Sequence, residues 1–183
     1  MNQREFEYIY HTSILLKKRF TKTQRRKWTN SIFISELLVQ LSHLHIAIIR
    51  GNTYKYKITD ELADIFFNLI IISVIINVPK KRLFNLYEYT KNRAIHYAAN
   101  ASILYTILDM YTISATLLDY SMRIDLFKHA NKKRVDMIQD IRREYFVLCK
   151  RFFELIFLMN VDINKEMRTM FKDATDFLNL FNS

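Results

Sequence analysis

Three polar residues stand at helical spacing in the most apolar part of the chain. Glu61, Asp64 and Asn68 lie at positions i, i+3 and i+7 of a segment otherwise rich in Ile, Leu and Phe. Residues at this spacing share one face of an α-helix. Because an unpaired charge is costly to bury, Asp64 should bind a cation, accept hydrogen bonds or face a hydrated cleft. Carboxylate oxygens are also the ligands that Mg²⁺ prefers.

The composition predicts that helices position these residues. The chain of 183 residues contains one Gly and one Pro. These are too few for the turns and bulges of a sheet protein or for the glycine loops of a doubly wound fold. We therefore predict an all-α fold, a helical bundle, whose length fits one ordinary domain or two small units that share a core.

Apolar periodicity predicts where the helices lie. The clearest breaks are at Gly51, at Pro79 and near residues 130–133. The segment 62–78 is strongly apolar but shorter than the roughly 20 residues that a bilayer needs, so we expect a buried core helix and no membrane partner. The predicted helices cover about residues 3–20, 24–50, 59–77, 80–97, 99–130, 134–160 and 163–181.

Cysteine and histidine positions exclude several kinds of site. Cys149 is the only Cys, which rules out an intrachain disulfide and a multi-cysteine zinc site. His43 and His45 are two residues apart and would point in different directions on a helix, so they make a poor metal pair.

The N-terminus lacks the apolar core of a secretory signal. We expect an intracellular protein of the cytoplasm, or alternatively of the nucleus. The abundance of Ile, Asn, Lys, Tyr and Phe is typical of an AT-rich genome, which suggests a viral source.

An internal repeat is one interpretation of the helix pattern. An offset of 83 residues superimposes Asn77 on Asn160, together with the long apolar helices that precede them. Identity along this alignment is low, and an apolar helical pattern matches itself easily, so a chain without duplication remains the alternative. The duplication divides one compact unit into a basic N-terminal helix (1–27), a first repeat (28–98) and a degenerate second repeat (99–183).

The carboxylates form a pattern that resembles a known enzyme family. Segment 35–41, SELLVQL, and segment 60–69, DELADIFFNL, resemble the MazG-like all-α nucleoside triphosphate pyrophosphohydrolases. That family carries E-x-x-E on one helix and E-x-x-D on the next, and these carboxylates hold Mg²⁺ against the substrate's phosphates. The resemblance covers about residues 28–96. It implies catalytic and metal-binding roles for Glu36, Glu61 and Asp64, a ligand-orienting role for Asn68, and phosphate contacts from Lys91, Asn92 and Arg93.

The first of the two family motifs is incomplete. One glutamate of the motif is missing, because Phe33 lies three residues before Glu36 and Val39 three residues after it. Three carboxylates therefore remain where the family has four. In the second repeat, Val147 replaces the counterpart of Asp64. Because a site that lacks ligands loses both charge and geometry, we predict a degenerate member that binds a nucleotide or another phosphate-bearing ligand, with or without Mg²⁺, and has weak or absent hydrolase activity. The alternative is that the E-x-x-D motif forms no binding site. In that case Asp60 and Glu61 only favour the positive N-terminal end of a helix, and Asp64 pairs with a lysine of a neighbouring helix.

A run of seven cations between residues 17 and 27 supports a second functional hypothesis. The chain has a formal net charge of +10, and phosphate polyanions are natural partners for such a run because their neutralisation releases counterions. A non-enzymatic protein that binds nucleic acid, or a host protein through a helical groove, is therefore the alternative function. A solvated helix face or a nuclear-import signal is the plainer interpretation, and a homodimer is compatible with either function. The cations are Lys17, Lys18, Arg19, Lys22, Arg25, Arg26 and Lys27.

Overall fold

Long helices form the bundle. The computed structural model describes residues 1–24, 29–51, 57–97, 102–126 and 131–180. Within these ranges all regular structure is α-helical, so the prediction of an all-α helical bundle is confirmed. The helices are α1 (Gln3–Gln24), α2 (Asn30–Arg50), α3 (Ile58–Ile75), α4 (Lys80–Tyr97), α5 (Ile103–Leu126), α6 (Asn131–Leu158) and α7 (Ile163–Asn179).

Helix boundaries follow local chemistry at most of the predicted breaks. Gly51 ends α2 with a positive φ of 75°, a conformation that glycine adopts without strain. The Asp162 carboxylate caps α7, since it accepts hydrogen bonds from the backbone N–H groups of Asn164 and Lys165 at 3.2 and 3.3 Å. The break predicted near residues 130–133 falls within a few residues of the junction between α5, which ends at Leu126, and α6, which begins at Asn131. Residues 127–130 lie outside the described residues.

Two turns of the same geometry follow α3 and α6. Asn77 and Asn160 have φ values of 54° and 52°, in the left-handed region that Asn tolerates better than most residues. In each turn the next residue, Val78 or Val161, donates its backbone N–H to a carbonyl five residues earlier, at 2.8 and 3.0 Å. The offset of 83 residues fails for the first helix of each half, because α5 begins well before the position that this offset predicts from α2. The duplication therefore stays a prediction.

Helix α3 lies at the centre of the bundle. It packs against α1, α2, α6 and α7, and most of its side chains are buried. The Phe66 ring stacks on Phe152 of α6 at 5.4 Å between centroids. The prediction that segment 62–78 contains a buried core helix is confirmed. Because α3 is central, the polar face of its first two turns must meet the neighbouring helices.

One helix in the described part of the chain is long and apolar enough, by length and composition, to cross a membrane. It is the Ser31–Arg50 stretch of α2, of which 33% is buried, and it lies near the N-terminus. The candidate predicted from the sequence for this role was instead segment 62–78. The core helix of a soluble protein satisfies the same two criteria as a membrane span, so length and composition do not decide between them.

Candidate functional site

A cleft of about 180 Å³ lies where α1, α2 and α3 meet. Its polar lining comes from all three helices: Lys17 from α1, Glu36 and Gln40 from α2, and Asp64 and Asn68 from α3. Glu36 and Gln40 are four residues apart, as are Asp64 and Asn68, so each pair shares one face of its helix. The packing of α2 on α3 brings these two faces together. The structure thus unites three of the residues predicted from the family resemblance, Glu36, Asp64 and Asn68.

Three aromatic rings complete the wall of the cleft. They belong to Phe20, Phe33 and Phe67, one from each helix. The Lys17 ammonium nitrogen lies 5.0 Å from the centre of the Phe33 ring, a cation–π distance. Burial lowers the pKa of Lys17 below its ordinary value. The amine is therefore held on an aromatic surface, where a bound anion would stabilise its charged form.

Asp64 is a carboxylate of the cleft whose pKa departs from its ordinary value. Burial raises its pKa to about 6, and the negative charge of Asp60 adds to this increase. Within the ranges that the structure describes, Lys17, Glu36 and Asp64 take part in no ion pair. Three charged groups thus border one cleft without neutralising each other by direct contact. A bound cation would favour the ionised form of Asp64 and lower its pKa.

Two amides supply further oxygen atoms. The side-chain amide nitrogen of Asn68 donates to the backbone carbonyl of Asp64 at 3.1 Å, which leaves its amide oxygen as an acceptor. The Oε1 atom of Gln40 is buried and has no hydrogen-bond partner in the described part of the chain. Buried acceptors of this kind normally find a partner in protein, water or ligand. Gln40 was not among the predicted site residues, although its position four residues after Glu36 places it on the same helix face.

Glu61 lies apart from this cleft. Its Oε2 atom is 3.5 Å from Nδ1 of His43 on α2, and only 6% of the residue is exposed. Burial, followed by the charges of Asp64 and Asp60, raises the pKa of Glu61 to about 7. The predicted ligand set is therefore reduced to the carboxylates of Glu36 and Asp64. In agreement, no three His, Cys, Asp or Glu side chains of the described residues are placed to hold a metal ion together.

The predicted phosphate contacts on α4 do not line the cleft. Lys91, Asn92 and Arg93 are exposed, and Lys91 pairs with Glu88 at 3.8 Å. The turn that contains Asn77 directs α4 onto α6, with a smaller contact to α1. The family resemblance placed these residues near the carboxylates because they follow the motif in sequence, but the packing of α4 separates them from it.

The cations of the basic run point in several directions. Lys17 borders the cleft, whereas the Arg19 guanidinium donates to the side-chain oxygen of Asn179 at 2.9 Å. Lys18 and Lys22 are exposed. The remaining predicted nucleic-acid contacts, Arg25, Arg26 and Lys27, lie outside the described residues.

The fold and the cleft define an all-α helical bundle with an oxygen-rich, aromatic-walled site between its first three helices. Comparison with protein-family models, with curated proteins and with solved structures finds no match to this chain. The resemblance to the MazG-like family therefore depends on the motif spacing alone.

Proposed function

We propose that the chain binds a small phosphate-bearing ligand, a nucleotide by preference, together with Mg²⁺ in the cleft between α1, α2 and α3. It would be a degenerate MazG-like protein with weak or absent pyrophosphohydrolase activity. The observation that supports this function best is the position of Glu36 and Asp64. They come from different helices, border one cleft and have no ion-pair partner among the described side chains.

The donor atoms of the cleft fit Mg²⁺. Hard divalent cations prefer oxygen, and Glu36, Asp64, Gln40 and Asn68 offer carboxylate and amide oxygens. Proteins usually hold Mg²⁺ with one or two carboxylates, several waters and the phosphates of the substrate rather than with a complete protein cage. A site with two carboxylates should therefore bind Mg²⁺ weakly alone and more tightly with a phosphate-bearing ligand.

The charges of the cleft explain why the ligand would need the cation. One ammonium group, on Lys17, faces the two carboxylates of Glu36 and Asp64. At neutral pH the site is net negative and would repel a phosphate. Mg²⁺ supplies the missing positive charge, and Lys17 can then contact a phosphate oxygen.

The size of the cleft and its rings limit what can enter. A volume of about 180 Å³ is below the roughly 300 Å³ at which pockets for drug-sized ligands begin. The cleft therefore takes one part of a nucleotide, and the rest would extend along the surface. Phe20, Phe33 and Phe67 offer apolar faces against which a planar ring can pack.

Weak hydrolysis follows from the same donor set. Attack on phosphorus requires an aimed water and cations that neutralise the leaving group. Two carboxylates hold fewer cations than the four of the resembled family. We expect the ligand to bind more readily than it is cleaved.

Calorimetric titration of nucleoside triphosphates with and without Mg²⁺ tests this function. We expect Mg²⁺-dependent binding that Glu36→Gln and Asp64→Asn each weaken by about tenfold or more, since each removes a charged ligand. Asp119→Asn, an exposed carboxylate on α5 that pairs with Arg123, is the matched control and should bind like the parent chain. Equal binding in Mg²⁺ and in EDTA, or unchanged binding by both cleft variants, would refute the proposal. A pyrophosphate-release assay measures the residual activity.

A further inference from the structure

The exposed side of α4 concentrates positive charge around an aromatic ring. The helix carries five cations and one carboxylate, Glu88. Its exposed residues between positions 81 and 93 are polar, basic or aromatic, and we call them the α4 basic face. They are Lys81, Arg82, Asn85, Tyr89, Lys91, Asn92 and Arg93.

Nearby carboxylates form ion pairs with only some of these cations. Lys91 pairs with Glu88 at 3.8 Å, and Lys80, at the edge of the face, pairs with Glu7 at 3.6 Å. Three cations, Lys81, Arg82 and Arg93, form no ion pair with any described residue. At about 1.5 Å per residue, the distance from Lys81 to Arg93 along the helix is about 18 Å. That length suits an extended polyanion better than a single small anion.

Tyr89 and Arg93 form a cation–π pair on this face. The Arg93 guanidinium lies 4.6 Å from the centre of the Tyr89 ring. Tyr89 is 45% exposed, so part of its ring remains accessible. Arginine on an aromatic face keeps its hydrogen-bond donors available for phosphate. An aromatic face beside cations is the combination on which unpaired bases stack while their backbone is neutralised.

We propose that the α4 basic face binds single-stranded nucleic acid, with Lys81, Arg82 and Arg93 on phosphates and Tyr89 stacked on a base. This surface is separate from the cleft of α1, α2 and α3, which none of these residues lines. It also gives a role to Lys91, Asn92 and Arg93, whose residue types suit phosphate although the fold places them outside the cleft.

The chemistry of the face favours single strands over other polyanions. A helix that binds an anionic membrane inserts aliphatic or aromatic side chains into the headgroup region. Tyr89 is the one large hydrophobic residue exposed between positions 80 and 94. Duplexes present phosphates but keep their bases stacked on each other, so they would use the cations and not the ring.

Fluorescence anisotropy with a labelled oligothymidine tests the proposal. For single strands the slope of log K against log salt is about −0.7 for each neutralised phosphate, so three contacts predict about −2. Arg93→Gln should make the slope less steep by about 0.7. Tyr89→Ala should weaken binding about tenfold, whereas Tyr89→Phe keeps the ring and should bind like the parent chain.

A matched charge control separates this face from the basic character of the whole chain. The triple variant Lys81→Gln, Arg82→Gln, Arg93→Gln should lose most binding at physiological salt. The triple variant Arg123→Gln, Arg143→Gln, Lys172→Gln removes the same charge from exposed positions of α5, α6 and α7 and should keep it. Unchanged binding by the α4 triple variant, equal loss in both triples, or tighter binding to duplexes or to anionic vesicles would overturn the proposal.

Discussion

Replacing Glu61 with glutamine should stabilise the protein at alkaline pH and leave its stability nearly unchanged at acidic pH. The carboxylate is 6% exposed, and burial together with the charges of Asp64 and Asp60 raises its pKa from 4.5 to about 7. Below pH 4.5 the group is protonated in both the folded and the unfolded chain. As the pH rises towards 7, the folded chain retains a proton that the unfolded chain loses, so the free energy of unfolding falls. The amide of the variant does not titrate and escapes this loss.

The size of the effect follows from the pKa difference. An increase from 4.5 to about 7 corresponds to about 3 kcal/mol at about 1.4 kcal/mol per pH unit. The side chain of His43 lies 3.5 Å from the Glu61 carboxylate and is 29% exposed, so water comes close to the carboxylate. This water reduces the free-energy cost of ionising Glu61. We therefore expect Glu61→Gln to raise the free energy of unfolding by about 1–2 kcal/mol at pH 8, or the melting temperature by about 2–8 °C.

Urea denaturation of the parent chain and of Glu61→Gln at pH 4.5 and at pH 8 measures this difference. The two proteins should have similar free energies of unfolding at pH 4.5, and the variant should be the more stable at pH 8. Asp119→Asn, which changes an exposed carboxylate, should show no such pH dependence. A variant less stable than the parent chain at pH 8 would contradict this expectation, because the ionised Glu61 would then be stabilised by its contact with His43.

Three further predictions concern the cleft and the core. Because Asp64 has a pKa of about 6, Mg²⁺-dependent nucleotide binding should strengthen between pH 5 and pH 7, as measured by calorimetry, and Asp64→Asn should abolish this pH dependence. Tyr145→Phe removes the buried hydrogen bond that the tyrosine hydroxyl donates to the Leu69 carbonyl at 2.9 Å, and should lower the free energy of unfolding in urea by about 1–3 kcal/mol. Asp162→Ala removes the cap of α7 and should cost about 1 kcal/mol in the same assay, whereas Asp162→Asn should cost less.

Local chemistry made much of the fold predictable. Pro79 stands directly before α4, and Asp162 directly before α7, so both helices begin where the sequence predicts. The almost unbroken apolar run after Asp64 predicts a central helix, since such a run must be buried on all sides. The left-handed turns at Asn77 and Asn160 fall on residues that tolerate this conformation.

The site was only partly predictable because helical spacing defines a face but not its neighbour. The pattern placed Glu61 and Asp64 on one side of α3, yet Asp64 borders the cleft while Glu61 contacts His43. The position of Lys17 depends on how α1 packs over α2 and α3, and this contact joins residues far apart in sequence. No local signal in the sequence encodes that packing.

Paramagnetic relaxation by Mn²⁺ locates the cation in the folded chain and so shows whether it lies between α1, α2 and α3. With Mn²⁺ in place of Mg²⁺ and a non-hydrolysable nucleoside triphosphate, the NMR signals of Gln40 and Asn68 should broaden strongly, and those of Asn92 on α4 should remain sharp. Asp64→Asn should restore the cleft signals. Sharp cleft signals at saturating Mn²⁺ and nucleotide, or broadening centred elsewhere, would contradict a cation-assisted phosphate site between α1, α2 and α3.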